Sequence, residues 1–242
     1  MKKDIILHAE NLQKHFGLDA GFFAKKNKQV YAVNGVSFEI ERGKTYGLVG
    51  ESGCGKTTTA RLLVKMYNAD SGKIYFNPQE KEEPIEVGNL DKKELAAYRE
   101  KVKYIFQDPS RSLNPRMTIA SILSSPLKYS SHWQGKEQAR EKAAALLEEI
   151  GLDKADLDRR PQEFSGGQRQ RISIARGLIL EPELLICDEV VSALDVSVQA
   201  QILNLLQDLR KKRGLSFLFI AHDLKVSCYF CDTIGVISRG LL

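Results

Sequence analysis

The sequence predicts an α/β fold: a mixed, mostly parallel sheet, an N-terminal antiparallel β part and an inserted helical subdomain. Three observations predict it. Short continuous apolar runs at 183–187 and 215–221 suit strands covered on both faces, and they alternate with helical stretches. A strand-like run at 46–49 passes through a glycine-rich turn into a helix-prone run from 58 to 66. From 108 to 164 the texture is helical and no strand pattern interrupts it.

At 242 residues, 43% of them hydrophobic, the chain can bury the core of one large domain or of a domain with a subdomain. Its net charge of +5 comes from 36 basic and 31 acidic residues. The basic clusters are short, Lys25-Lys26 and Arg210-Lys211-Lys212-Arg213, and the second ends a helix, where cations suit the dipole. No nucleic-acid partner is expected. The apolar stretch at 5–7 is too short for a signal peptide, and the run at 217–221 is far short of the ~20 residues that span a bilayer.

Taken in order, 5–11 reads as a first strand, and 17–29 breaks the pattern as a surface insertion. Residues 36–40 alternate as a half-buried strand, and Arg42-Gly43 turns the chain back toward 46–49. After the turn at Asp70-Ser71-Gly72 comes a strand at 73–77, then an exposed charged segment at 78–84. Asp91 with Glu94 makes a capping-box start for a helix to about Lys101, and 102–106 is a strand ending at Gln107. Residues 108–115 read as a loop, and Thr118 caps a helix through Leu123. Residues 136–150 form a helix closed by Gly151. Helix 166–180 precedes the strand at 183–187. Val198, Ile202, Leu205, Leu206 and Leu209 then make one helical core stripe, and Gly214 stops that helix. A short helix at 223–230 and a strand at 233–238 close the chain. Of the four cysteines, Cys54, Cys187, Cys228 and Cys231, the last two have C-x-x-C spacing. They lack a second ligand pair and read as semi-buried helix residues in a reducing, cytoplasmic compartment.

Chemistry concentrates at a few points. Gly50-Glu51-Ser52-Gly53-Cys54-Gly55-Lys56-Thr57, between a strand and a helix, makes a nest of N–H groups that binds polyphosphate. Lys56 reaches the terminal phosphates and the Thr57 hydroxyl ligates Mg²⁺. Asp188 and Glu189 end an apolar strand. Alone they are equally a solvated acidic pair. Downstream of a phosphate loop, one fits the metal and the other a base that polarises water. Ser165-Gly166-Gly167-Gln168 opens a helix, either as a plain cap or as a second anion site. His222 follows a buried strand, where a lone histidine is more often structural, although ligands of open sheets bind there.

In this order, GESGCGKT, Gln107, FSGGQ, LLICDE and His222 resemble the nucleotide-binding domain of ABC transporters. FQDPSRSLNPRMT and SALDVSVQAQIL resemble the oligopeptide/dipeptide/nickel importer ATPases. The resemblance implies a P-loop NTPase with a RecA-like core at 1–107 and 165–242 and a helical subdomain at 108–164. Gly50, Glu51, Ser52, Gly53, Cys54, Gly55, Lys56, Thr57 and Thr58 would hold ATP. Thr57, Gln107 and Asp188 would serve Mg²⁺. Glu189 would be the catalytic base, His222 would bond the γ-phosphate, and Gln107 would sense metal and water. Phe16 would stack on adenine, with Tyr31 a second candidate. Ser165, Gly166, Gly167 and Gln168, with Asp195, would meet the ATP held by an opposite subunit.

The implied protein is an ATPase subunit on the cytoplasmic face of the membrane. It pairs with a second ATPase, related or identical, and with two permease subunits, and a binding protein delivers peptides or nickel chelates. Its alternatives are a soluble ABC-type switch on nucleic acid or ribosomes and a P-loop kinase, which the SGGQ segment opposes. Two departures stand out. Val190 occupies a position where the family usually has proline, with a small effect expected. The chain ends at Leu242, where many relatives continue, and no matched catalytic position is lost.

Overall fold

The computed structural model describes residues 4–17, 29–79 and 83–242. Residues 18–28 of the expected insertion and 80–82 of the charged segment lie outside the described residues, while Gly17 and Gln29 are the end residues of two strands. In chain order the elements are β1 (Ile5–Gly17), β2 (Gln29–Glu41), β3 (Thr45–Val49), α1 (Lys56–Leu63), β4 (Ser71–Phe76), β5 (Ile85–Glu86), α2 (Lys92–Lys101) and β6 (Val102–Ile105). There follow α3 (Pro109–Ser112), α4 (Ile119–Lys128), α5 (Lys136–Glu149), α6 (Gly166–Leu178), β7 (Leu184–Asp188), α7 (Val196–Arg213), β8 (Ser216–Ala221), α8 (Leu224–Phe230) and β9 (Thr233–Val236).

The chain forms two compact units, Met1–Ala96 with Ser216–Leu242, and Ala97–Leu215. In the first, an antiparallel sheet runs β2-β1-β4-β5. Strand β1 is longer than expected. Asn11 takes φ 47°, a left-handed conformation that asparagine tolerates, and the register slips between Ala9 and Leu12. The irregularity bends the strand without ending it. Its neighbour Gly72 is obligatory, because a Cβ there would lie 2.3 Å from the Asn11 carbonyl oxygen. The same unit holds three parallel strands with β3 between β8 and β9. All residues of β3 and β8 are buried.

The second unit pairs β6 with β7 in parallel, Tyr104 opposite Ile186. Helix α6 packs against β6. Pro109 starts α3, a single turn where a loop was expected, because proline suits a first helical position. Helix α4 runs past Leu123 to Lys128 with Pro126 inside its last turn. Ile119, Ile122, Leu123 and Leu127 are all buried, and their helical spacing sustains the turn the proline weakens. Thr118 caps it as expected, accepting from the Ser121 N–H at 3.3 Å. In α7 the buried stripe is Ile202, Leu203, Leu206 and Leu209; of the expected stripe, Val198 and Leu205 are only half-buried. Cys228 is exposed, and Cys231 lies just past α8, so the pair is not two semi-buried helix residues.

Glu149, at the end of α5, accepts from Arg213 Nε at 3.0 Å and lies 3.3 Å from Lys212 Nζ. The Arg213 hydrogen bond holds its carboxyl below the usual range. A lowered folded value contributes stability above the unfolded pKa, and that stability is lost as pH falls through the folded value. Glu149→Gln is therefore expected to lower unfolding stability by about 0.5–1 kcal/mol at neutral pH. The deficit should close below about pH 4. Denaturant titrations at both pH values check this; an equal deficit at both would contradict it.

Candidate active site

The phosphate-loop candidates all lie in the first unit. Val49 ends β3, and the loop 50–55 leads directly into α1. Backbone from two other segments grips it. A Cβ on Gly50 would lie 2.1 Å from the Ile237 carbonyl oxygen, and one on Gly55 would lie 2.1 Å from the Ala32 carbonyl oxygen. Gly55 also has φ 113°, open to glycine at little cost. The Ile237 N–H donates to Val49 O at 2.7 Å, and the Gly240 N–H to Cys54 O at 2.9 Å. Only glycine at 50 and 55 lets these chains meet.

Lys56 is 4% exposed, and its Nζ donates to the carbonyls of Gly50 and Glu51, both at 2.7 Å. The ammonium thus sits inside the loop at the start of α1, where first-turn N–H groups lack intrahelical acceptors. A positive, donor-rich concavity results. His222 follows β8, whose Ala221 is paired with Val49, so the histidine is one residue beyond that rung beside Gly50. It is exposed. Phe16 faces Val30 in β2, near Ala32, and its ring packs edge-on to Tyr67 at 5.6 Å with Lys14 Nζ above it. Tyr31 is 54% exposed and lies next to the residue that touches Gly55.

In the second unit, β7 delivers Asp188 and Glu189 at its carboxyl end. Asp188 is 4% exposed and accepts from the Tyr104 hydroxyl. Glu189 has φ 50°, a conformation uncommon outside glycine and frequent at functional turns. Its backbone oxygen accepts from Ser192 N and Ser192 Oγ, at 3.1 and 2.9 Å, which fixes the turn. Its carboxylate accepts from Gln107 Nε2 at 2.8 Å. Strand β6 therefore supplies a donor to the first acid, and the residues just beyond it supply one to the second. Val190 is buried in the turn after Glu189.

Ser165 and Gln168 form a reciprocal capping box. The serine Oγ accepts from Gln168 N at 3.3 Å, and the glutamine Oε1 accepts from Ser165 N at 2.9 Å. Gly167 is small for packing: a Cβ would lie 2.5 Å from Val198 Cγ1 on α7. Asp195 sits at the N-cap of α7. The structure thus groups 50–58 with His222 in one unit, and Gln107, Asp188 and Glu189 in the other.

These residues fit ATP and Mg²⁺. A buried ammonium in a glycine loop suits phosphate. Thr57 in the first unit, and Gln107 and Asp188 in the second, each carry an oxygen of the hard type that magnesium takes alongside substrate phosphates. Among the described residues no cluster of three His, Cys, Asp or Glu could hold a metal ion.

The description of the ABC transporter family matches residues 33–192. The chain belongs to the ABC transporter family. This ABC ATPase is 45% identical over 237 residues to the oligopeptide transport ATP-binding protein OppF of Bacillus subtilis, covering 98% of the chain and 74% of that protein. It is 46% identical over 235 residues to the dipeptide transport ATP-binding protein DppF of Escherichia coli, covering 97% and 68%. A dimeric ATP-binding cassette in a post-hydrolysis state, bound to ADP and Pi, superposes with TM-score 0.81 at 26% identity, covering 98% of this chain and 96% of that one. CbiO1 from Clostridium perfringens, part of an ABC transporter complex, matches with TM-score 0.81 at 25% identity, covering 98% and 86%. The ABC ATPase binds ATP with Mg²⁺ and hydrolyses it, and the hydrolysis is coupled to transport. No helix among its described residues is long and apolar enough to cross a membrane.

Sequence reading passed over Tyr104, Ala32 and Ile237. The first had a signal, a tyrosine in the strand leading to Gln107. The other two act through backbone carbonyls, which no residue type announces.

Proposed function

We propose that this ABC ATPase energises import of small peptides through two permease subunits at the cytoplasmic face of the membrane. The observation that carries the mechanism is the turn at Glu189, held in a left-handed conformation with its carboxylate on Gln107. The oligopeptide and dipeptide names of the relatives support peptides over nickel chelates as cargo. A second ATPase, identical or related, completes the assembly, and a binding protein delivers cargo to the permeases.

In this reading Lys56 and the loop from Gly50 to Thr58 hold the phosphates of ATP. Phe16 or Tyr31 takes the adenine. Magnesium supplies charge neutralisation at the phosphates, with Thr57, Asp188 and Gln107 as its protein partners. Glu189 takes a proton from the attacking water, and His222 bonds the γ-phosphate. Ser165, Gly166, Gly167 and Gln168, with Asp195, face the nucleotide of the opposite ATPase. ATP favours the closed pair because both chains contact it, and loss of the γ-phosphate favours opening.

Residues 108–164 form the helical subdomain, inserted in a core of 1–107 and 165–242, and carry the motion to the permeases. A cavity of about 480 Å³ in this region is lined by Met117, Ser124, Lys128, Tyr129, Trp133 and Lys136. Tyr129 is 84% exposed there, and rigid aromatics with basic neighbours suit a helix from a permease. Affinity purification from detergent-solubilised membranes should recover two permease polypeptides, and disrupting the gene should abolish peptide uptake. Recovery of ribosomes or nucleic acid, with uptake intact, would sink the proposal.

Ser165→Ala removes half of the capping box and is expected to cost about 1 kcal/mol of stability. Thermal unfolding measures it, and an unchanged midpoint would show that the cap contributes nothing.

A further inference from the structure

Tyr104 lies on strand β6. Tyr104 pairs across the parallel ladder with Ile186. Side chains alternate along a strand, so Tyr104, Ile186 and Asp188 share one face. Each residue advances about 3.3 Å, so Asp188 lies roughly 6–7 Å beyond the rung of Tyr104. A tyrosine side chain spans that diagonal, whereas a shorter hydroxyl would stop at Ile186. The phenol reaches the end of β7 and donates to Asp188 Oδ2. The tyrosine ring is itself fixed by Phe106, whose ring meets it edge-on at 4.8 Å. The carboxylate it holds is 4% exposed, in surroundings where a charged acceptor strengthens a hydrogen bond.

We propose that Tyr104 is a positioning residue for the metal site. Its hydroxyl fixes the rotation of the Asp188 carboxylate and so sets how readily the protein takes up the magnesium that accompanies ATP. This rests on the reading of Asp188 as the metal's aspartate. The physical effect is preorganisation. The phenol is one of the contacts that restrain the carboxylate's terminal torsion, a broad rotor, so without it more of the ordering is left to the moment the cation arrives.

The division of labour is specific. Gln107 engages Glu189, and Tyr104 engages Asp188, so the β6 edge controls the two acids through separate donors. Removing one should leave the other's effect in place. Loss of the Tyr104 hydroxyl should change metal demand, whereas metal-free nucleotide binding, which belongs to the glycine loop, should not respond.

The test uses the full-length purified chain and Tyr104→Phe, which keeps the ring and its packing on Phe106. Tyr104→Met serves as a second variant without a donor. Mn²⁺ binding in the presence of ATP is followed by electron paramagnetic resonance. ATP binding in EDTA is measured by calorimetry, and the Mg²⁺ concentration for half-maximal hydrolysis is measured in parallel. Loss of a hydrogen bond of about 1 kcal/mol corresponds to roughly a fivefold change in an equilibrium constant. Both variants should therefore need about five times more metal, with EDTA-state ATP affinity unchanged. Asp188→Asn runs alongside. If it raises the metal requirement while Tyr104→Phe leaves it unchanged or lowers it, the positioning role is wrong and the reading of Asp188 stands. If Asp188→Asn also leaves metal binding unchanged, the assignment of Asp188 fails and the proposal falls with it.

Discussion

Glu189→Gln is expected to bind ATP as the parent does while turnover falls by roughly 10²–10⁴, the usual contribution of a positioned general base. The substitution keeps the length and shape of the side chain and removes its ability to take a proton. The backbone conformation at this position, φ 50°, costs a glutamine no more than a glutamate. Ser192 also holds the turn through the backbone oxygen of Glu189, which the substitution leaves in place. Binding and hydrolysis should therefore separate cleanly. In the proposed mechanism ATP favours the closed pair, so a variant that cannot clear the γ-phosphate should accumulate as an ATP-bound dimer. Gel filtration with Mg²⁺ and ATP would display it, and single-turnover hydrolysis would give the rate. Turnover at the parental rate would remove Glu189 from the role of base.

The second large effect is expected at Gly55. Gly55→Ala places a Cβ 2.1 Å from the Ala32 carbonyl oxygen, on a residue at φ 113°. Neither strain can relax alone, since turning the residue would move the start of α1. Backbone strain of about 1–3 kcal/mol, added to the clash, should displace the loop and weaken ATP binding by at least about 100-fold. Gly53→Ala is the control. That residue also has a positive φ, 77°, but a Cβ there meets nothing within 4 Å. It should carry the conformational cost alone, with a loss of about tenfold or less. Fluorescent-nucleotide titration distinguishes the two, and equal losses would mean that the Ala32 contact contributes nothing.

Local signals made most of the fold legible. Strands β7 and β8 are continuous apolar runs because their residues are buried throughout, and turn glycines such as Gly151 and Gly214 marked helix ends. The long β1 was not legible. Asn11 looks like the end of a strand, and only pairing with Ser37, whose Oγ accepts from its N–H at 2.8 Å, shows a bulge. Pro126 hid the last turn of α4 for the same reason, since the packing that carries it is not local. At the candidate site the residue types are plain, Lys56, Asp188 and Glu189 among them. Their partners are not. Tyr104 reaches Asp188 across a parallel ladder whose register no periodicity reveals. Gly167 looked like part of an anion nest, yet its lack of a side chain also admits Val198.

The grip on the phosphate loop has a consequence for how such a protein can change. Ala32 and Ile237 shape the loop with atoms that every amino acid possesses. Mutation at either position alters the side chain and leaves the touching carbonyl in place. The mould around the loop is therefore set by the path of the backbone, although Ile237 also fills the core with a side chain only 1% exposed. An insertion or deletion of one residue in β2 or after β9 would shift the carbonyl and spoil the pocket.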